Sequence, residues 1–329
     1  MNTTPQGTLR CAVLNDYQDI ALRYADWNTL APRVEMTNFR QPFADEAQLV
    51  EQLKPYDIVC LMRERTALPA SVLDALPNLK LIVTAAMWNA VIDVEHATRK
   101  GIVVSGTQSL QSGTPELIWL LVLALARNHE QERENMRSGG WQTTVGMDLR
   151  KRTIGLLGLG NIGQRVAKVA NAFGMRVIAW SQNLTAEKAE AAGATLVDKA
   201  TLLAEADFVS IQLKLSARTH HIVGAAELAA MKPTAYLINT SRGPLVDEGA
   251  LVDALKRGHI AGAGLDVYDV EPLPADHPFR SLPNVVALPH IGYVTEAQYR
   301  LFFPQFVENI AAWLAGAPVR VVQSSMPPA

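Results

Sequence analysis

The sequence predicts an α/β protein built on parallel sheets. Short apolar runs alternate with helix-length segments along nearly the whole chain, which is the βαβ rhythm. The alternation falls into two series, separated by a long helical stretch. The second series opens on a strand that runs straight into a glycine-spaced turn and a helix. With 329 residues, the chain has room for two domains.

In the first series, CAVLN (11–15), DIVCLM (57–62) and LKLIVTA (79–85) read as strands, and EAQLVEQL (46–53) and PASVLDAL (69–76) as helices. One helix is then predicted over 115–137, with Pro115 in its first turn and Ser138-Gly139-Gly140 as its stop. Its first half is apolar nearly all round and is expected to be buried, while RNHEQERENMR is polar and expected to project. The strands of the second series are TIGLLG (153–158), RVIAW (176–180), FVSIQL (208–213), AYLINT (235–240), AGAGLDV (261–267) and VVAL (285–288). Helices are expected over 161–173, 186–192, 200–205, 225–231 and 248–257. A last helix over about 295–315 precedes a polar, proline-containing tail.

Composition narrows the function. Hydrophobic residues make up 49% of the chain, charged residues 19%, and the formal charge is −2. That composition supplies a core but no basic tract, which argues against nucleic acid and anionic membrane as main partners. The run LIWLLVLALA (117–126) is too short to cross a bilayer. Cys11 and Cys60 sit in apolar strand-like segments, with neither zinc-ligand spacing nor a disulfide framework, so two buried reduced thiols and no metal are expected. MNTTPQGTLR lacks the apolar core of a signal peptide, and the expected location is the cytoplasm.

Residues 154–168 read IGLLGLGNIGQRVAK. Gly158 permits a tight turn, Gly160 lets backbone approach a pyrophosphate, and Gly163 lets helix and strand pack closely. The phosphates would then meet the N–H groups of Gly160, Asn161, Ile162 and Gly163 at the helix N-terminus. In this strand–turn–helix setting the spacing points to a dinucleotide. A carboxylate for the adenosine ribose is expected at the end of the next strand, but Ser181-Gln182-Asn183 comes after Trp180 instead. Ser181 can bond either a ribose hydroxyl or a phosphate oxygen, so NAD and NADP both stay open.

Three candidates for chemistry come directly after strands of the second series, where open α/β sheets place their ligands. Arg242, in LINTSRGPLVDE, suits a bidentate clamp on a carboxylate, or else a surface ion pair with Asp247 or Glu248. Glu271, in LDVYDVEPLP, is either a partner carboxylate or a solvated acid. His290, in VVALPHIGYV, is either a proton carrier or a space-filling imidazole. Each is ambiguous singly; together, beside a dinucleotide motif, they favour catalysis.

The stretches GLLGLGNIG, NTSRGPLVDE, GLDVYDVEP and LPHIG occur in that order, and the chain resembles the D-isomer-specific 2-hydroxyacid dehydrogenases over about residues 10–322. The resemblance implies two Rossmann-like lobes, with a cofactor lobe (102–291) inserted into a discontinuous substrate lobe (1–101 and 292–329). It implies that Arg242 binds the substrate carboxylate, that His290 is the acid/base paired with Glu271, and that Asp266 contacts the nicotinamide end of NAD or NADP. Substrate would be a small 2-oxo acid or its D-2-hydroxy acid, held in the cleft between the lobes. The helical stretch 115–137 would contribute to a homodimer.

The loop VTAAMWNAVID (83–93) matches the stretch whose amides help hold the substrate carboxylate, with Ala86 where relatives usually have glycine. Met87, Trp88 and Asn89 come next in that loop. Trp88 borders either the substrate pocket or a hydrophobic lid, and Arg63 faces either substrate or Glu64. Two other readings fit the same motifs: a D-3-phosphoglycerate dehydrogenase using Arg63 and Arg65, and a nucleotide-sensing corepressor-like protein.

Overall fold

The computed structural model describes residues 7–323. Residues 1–6, read against a signal peptide, and 324–329, in the polar tail, lie outside the described residues. The chain divides into two compact units: one runs up to Leu110 and resumes at Thr295, and the other is Gln111–Val294.

The first unit contains β1 (Leu9–Leu14), α1 (Ala21–Tyr24), β2 (Val34–Phe39), α2 (Glu46–Leu53), β3 (Ile58–Leu61), α3 (Ala70–Asp74), β4 (Leu81–Thr84), α4 (Val94–Arg99) and β5 (Val103–Gly106). All its strands are parallel, in the order β2-β1-β3-β4-β5. The expected break at 101/102 falls ahead of β5, which pairs with β4, so this unit continues to Leu110.

The second unit opens on helices. The single helix expected over 115–137 is two: α5 (Gly113–Ala126) and α6 (His129–Arg137). Asn128 between them takes φ +50°, a left-handed conformation that asparagine tolerates and that ends a helix. Leu120 and Leu123 of α5 are exposed, so its burial is one-sided rather than all round.

The rest of this unit comprises β6 (Thr153–Leu157), α7 (Asn161–Ala172), β7 (Arg176–Trp180), α8 (Ala186–Ala191), β8 (Thr195–Leu196), α9 (Lys199–Glu205), β9 (Phe208–Ile211), α10 (Ala225–Ala230), β10 (Tyr236–Asn239), α11 (Glu248–Lys256), β11 (Gly262–Leu265) and β12 (Val285–Ala287). The sheet is parallel in the order β12-β11-β10-β9-β6-β7-β8. Alternate residues fill a core on each face: Val209, Ile211, Leu237 and Leu265 on one, Ile154, Leu156, Phe208 and Ile238 on the other. The second core includes Leu121 and Leu125 of α5, which lie against Gly264 of β11.

The chain re-enters the first unit at Thr295 rather than at 292, and forms α12 (Glu296–Leu314). Buried amides on α12 hold the strand that leads out of this unit. Gln305 Oε1 accepts from Gln108 N–H at 2.8 Å, Gln298 Oε1 from Leu110 N–H at 2.8 Å, and Asn309 Nδ2 donates to Gly106 O at 2.8 Å. No helix among the described residues is long and apolar enough to cross a membrane.

Candidate active site

The turn after β6 uses its three glycines differently. Gly158 takes φ +105°, and a Cβ there would lie 2.8 Å from Gln212 O. A Cβ on Gly163 would overlap Gly158 O, so only glycine lets α7 start this close to the strand. A Cβ on Gly160, by contrast, would meet nothing within 4 Å. Gly160 caps α7 without a side chain, and no acidic residue stands in that helix's first turn. The N–H groups of Asn161, Ile162 and Gly163 therefore remain outside the helical ladder, in a positive field that fits a pyrophosphate. Ser181 comes after β7, the neighbour of β6, half-buried in a turn closed by Leu184 N–H donating to Ser181 O at 3.1 Å.

Arg242, Asp266, Glu271 and His290 come after β10, β11 and β12, three adjacent parallel strands, and so reach the same edge of the sheet. The Arg242 loop is pinned by Asn239, whose Nδ2 donates to Arg242 O at 2.9 Å and whose Oδ1 accepts from Ser241 N–H at 3.1 Å. Ser241 Oγ ties the loop to Ile211 O at 2.7 Å, and Arg242 Nη1 donates to Ser241 O at 2.6 Å. A Cβ at Gly243 would strike the Tyr268 carbonyl group, so this loop lies backbone-to-backbone on residues 268–269.

Glu271 Oε2 is 2.5 Å from His290 Nδ1, and Glu271 Oε1 accepts from Tyr268 N–H at 3.0 Å. The Tyr268 hydroxyl donates to Leu288 O at 2.8 Å, linking this turn to the end of β12; burial raises its pKa first, with Asp266 and Glu271 adding to the effect. The His290 backbone takes φ +53°, and its ring meets Tyr293 edge-on at 5.9 Å between centroids.

Asp266 is fully buried. Its Oδ1 accepts from Ile291 N–H and its Oδ2 from Gly292 N–H, each at 2.8 Å. It holds the turn that carries His290. Burial raises its carboxyl from 3.8 to about 6, against the opposing pull of the two amides and His290. The folded chain thus binds this proton more tightly than the unfolded chain does. The residue's contribution to stability falls as pH rises from about 4 to about 6, by up to ~3 kcal/mol. The urea midpoint of the wild type relative to Asp266→Asn is expected to fall across that window. A pH-independent difference would refute the assignment.

The first unit places the remaining predicted residues at the ends of β3 and β4. Ala86 N–H donates to Thr107 Oγ1 at 2.8 Å, and Gly106 leaves room for Ala86 O, which a Cβ would approach to 2.7 Å. Asn89 is buried and structural: its Nδ2 donates to Arg63 O at 2.8 Å and Thr84 Oγ1 at 2.9 Å. Met87 packs on this unit's core and Trp88 is exposed. Arg63 Nε is 3.7 Å from Glu64, and the Arg65 guanidinium lies 4.9 Å from the Tyr17 ring centroid.

Ala86 takes φ +79°, where a Cβ costs ~1–2 kcal/mol. Ala86→Gly relieves that strain and gives back part of it as unfolded-chain entropy, so a net stabilisation of about 1 kcal/mol is expected in thermal unfolding. An unchanged or lower midpoint would show that the methyl packs favourably.

Asn239, Ser241, Gly243, Tyr268 and Thr107 were not singled out from sequence for the roles they take. The first four lie inside the quoted motifs, but their tasks are backbone hydrogen bonds or close contacts that residue type does not announce.

Residues 119–292 match the family model for the D-isomer specific 2-hydroxyacid dehydrogenase NAD binding domain. The chain is 39% identical over 279 residues to the glyoxylate reductase of Thermococcus litoralis, covering 82% of this chain and 83% of that one. It is 38% identical over 273 residues to the D-3-phosphoglycerate dehydrogenase of Methanocaldococcus jannaschii, covering 82% of this chain and 52% of that enzyme. Among solved structures, the phosphoglycerate oxidoreductase of Vibrio cholerae O395 superposes with a TM-score of 0.88 at 36% identity, covering 94% of this chain and 100% of that one. The fold and the family match define a nicotinamide-dependent oxidoreductase of two-domain Rossmann architecture. The chain belongs to the D-isomer-specific 2-hydroxyacid dehydrogenase family, and its reaction interconverts a small 2-oxo acid and a D-2-hydroxy acid.

Proposed function

We propose that this protein is a reductase of small 2-oxo acids such as glyoxylate or hydroxypyruvate, with His290 as acid/base, Glu271 as its partner and Arg242 as the carboxylate anchor. The observation that carries the reading is the 2.5 Å contact between Glu271 Oε2 and His290 Nδ1. With Nδ1 held by a carboxylate, proton transfer falls to Nε2. Glu271 fixes the ring's orientation and stabilises the imidazolium. Arg242 fixes the substrate by its carboxylate, and its charge stabilises negative charge growing on the carbonyl oxygen. A bound reduced nicotinamide supplies the hydride. His290 gives its proton to the nascent alkoxide oxygen in reduction and takes it back in oxidation.

The Gly158–Gly163 turn and the start of α7 would hold the cofactor pyrophosphate, with Ser181 beside the adenosine ribose. Ser181-Gln182-Asn183 places no carboxylate against a 2′-phosphate, which supports turnover with both NADH and NADPH. In the first unit, we assign Trp88 and Met87 to selection of the substrate's side chain, and Arg63 and the Ala86 and Asn89 loop to their support. The engagement of Arg63 by Glu64, and of Arg65 by Tyr17, favours an uncharged substrate tail over a phosphate. Two free buried thiols, Cys11 and Cys60, fit a reducing, cytoplasmic setting.

A homodimer is part of the same reading. Leu120, Leu123, Met136, Trp141 and Val145 are exposed on α5, α6 and the segment after them. Glu132 holds that segment, accepting from Thr144 N–H at 2.6 Å and Thr144 Oγ1 at 2.7 Å, so Trp141 and Val145 are presented on a fixed backbone. Light scattering of the wild type and of Leu123→Arg tests this: a monomeric wild type rejects it.

The function itself is tested by loss of reduced-nicotinamide absorbance, with NADH and NADPH offered separately against glyoxylate, hydroxypyruvate, pyruvate, phenylpyruvate, 2-ketogluconate and phosphohydroxypyruvate. Turnover confined to phosphohydroxypyruvate would replace this reading with that of a phosphoglycerate dehydrogenase.

A further inference from the structure

We propose that Glu248 is a positioning residue for the acid/base pair, bracing the turn that aims Glu271 at His290. The inference rests on the roles assigned above to His290 and Glu271. Glu248 begins α11, directly after Asp247, whose own side chain caps that helix by accepting from Ala250 N–H at 3.0 Å. The Glu248 carboxylate instead bonds outside the helix. Its Oε2 accepts from Asp269 N–H at 3.2 Å, and its Oε1 is 3.1 Å from His277 Nε2. His277 Nδ1 accepts from Phe279 N–H at 3.3 Å, which puts the ring's proton on Nε2, facing Glu248. One carboxylate thus joins the start of α11, the 268–271 turn and the 277–279 turn.

The next links run into the site. The peptide between Tyr268 and Asp269 is wedged against Gly243, with 2.5 Å separating the position of a Gly243 Cβ from Asp269 N. Glu248 fastens the Asp269 side of that peptide. On the other side, Tyr268 N–H holds Glu271 Oε1, and Glu271 Oε2 holds His290 Nδ1. Glu248 touches no reacting atom and acts through the placement of Glu271. Asp247 and Asp269 stand near it, with His220 and His221 beyond Asp269; burial raises the Asp269 carboxyl first, and Glu248 raises it further. Glu248 is thus held beside other acids by two oriented hydrogen bonds, from Asp269 N–H and His277 Nε2.

Glu248→Gln is nearly isosteric. It keeps one acceptor, turns an NH₂ toward a donor, and removes the repulsion on Asp269. It should therefore loosen the turn without unfolding the unit. A double-mutant cycle on the purified enzyme reads the coupling, with kcat for 2-oxo acid reduction measured in wild type, Glu248→Gln, Glu271→Gln and the double variant. Glu248→Gln is expected to lose about tenfold in kcat, with KM and reduced-cofactor affinity held within about twofold. In the Glu271→Gln background the same change should cost less than about twofold, because the carboxylate it aims is gone. A wild-type kcat, or a loss that multiplies through in the double variant, overturns the proposal. If Glu248→Gln no longer binds cofactor, the cycle is run with His277→Ala, which removes the other donor to the same carboxylate and carries the same expectations. His290→Ala runs alongside. Near-normal turnover there overturns the acid/base reading together with this one, whereas lost turnover there with an unaffected Glu248→Gln overturns this one alone.

Discussion

Replacing His290 with alanine should lower kcat for 2-oxo acid reduction by about 10²–10⁴-fold, the range that a placed proton donor contributes. Binding of reduced cofactor should stay within about twofold, because the Gly158–Gly163 turn and α7 lie at other strands of the sheet. The size reflects the group that is lost: without an imidazolium, the growing alkoxide must take its proton from water. Alanine also removes the Glu271 partner at 2.5 Å, while Tyr268 N–H keeps its hold on the other carboxylate oxygen. Cofactor titration by fluorescence, beside a turnover assay, separates the two effects. Turnover within tenfold of wild type would assign the proton to another group. Glu271→Gln keeps His290 and the hydrogen bond to Tyr268 but loses the charge, so its loss should be smaller.

Much of this arrangement was legible in the sequence, for a physical reason. Parallel strands buried on both faces read as apolar runs, and the residues directly after each run must lie at the carboxyl edge of the sheet. Arg242, Glu271 and His290 therefore point to a common edge from sequence alone, and β10, β11 and β12 are neighbours. β2 went unread because it is an edge strand, and Glu35, Thr37 and Asn38 interrupt its apolar pattern. The helix break at Asn128 was hidden because a single left-handed residue changes direction without changing composition.

Glu248 was hidden differently. In the sequence it is only one of two adjacent acids, Asp247 and Glu248, that could pair with Arg242 at the surface. Which of two adjacent acids caps a helix and which reaches Asp269 and His277 depends on the angle between α11 and the 268–271 turn, and that angle is tertiary. Asp266 has the same character: its sequence neighbours are strand residues, and its partners, Ile291 and Gly292, arrive from the next strand's exit.

Arg242→Ala should damage binding and rate together. A guanidinium on a carboxylate makes two charge-assisted hydrogen bonds, each worth about 1.5–3 kcal/mol, so kcat/KM for the 2-oxo acid should fall by about 10²–10⁴-fold. Part of that loss should appear in kcat, because in the proposed role the same charge would also stabilise the carbonyl oxygen as it becomes anionic, an interaction stronger in the transition state than in the ground state. Nucleotide affinity should be little changed. Arg242→Lys is the sharper test. It keeps the charge but lacks the planar fork, and Arg242 Nη1 already bonds Ser241 O at 2.6 Å while Asn239 clamps its carbonyl. Those bonds restrict how the guanidinium can turn. If orientation is what the loop supplies, lysine should recover less than about tenfold of the loss. If lysine recovers nearly all of it, Arg242 acts as a point charge, and the Asn239 and Ser241 bonds serve the Gly243 wedge against Tyr268 instead.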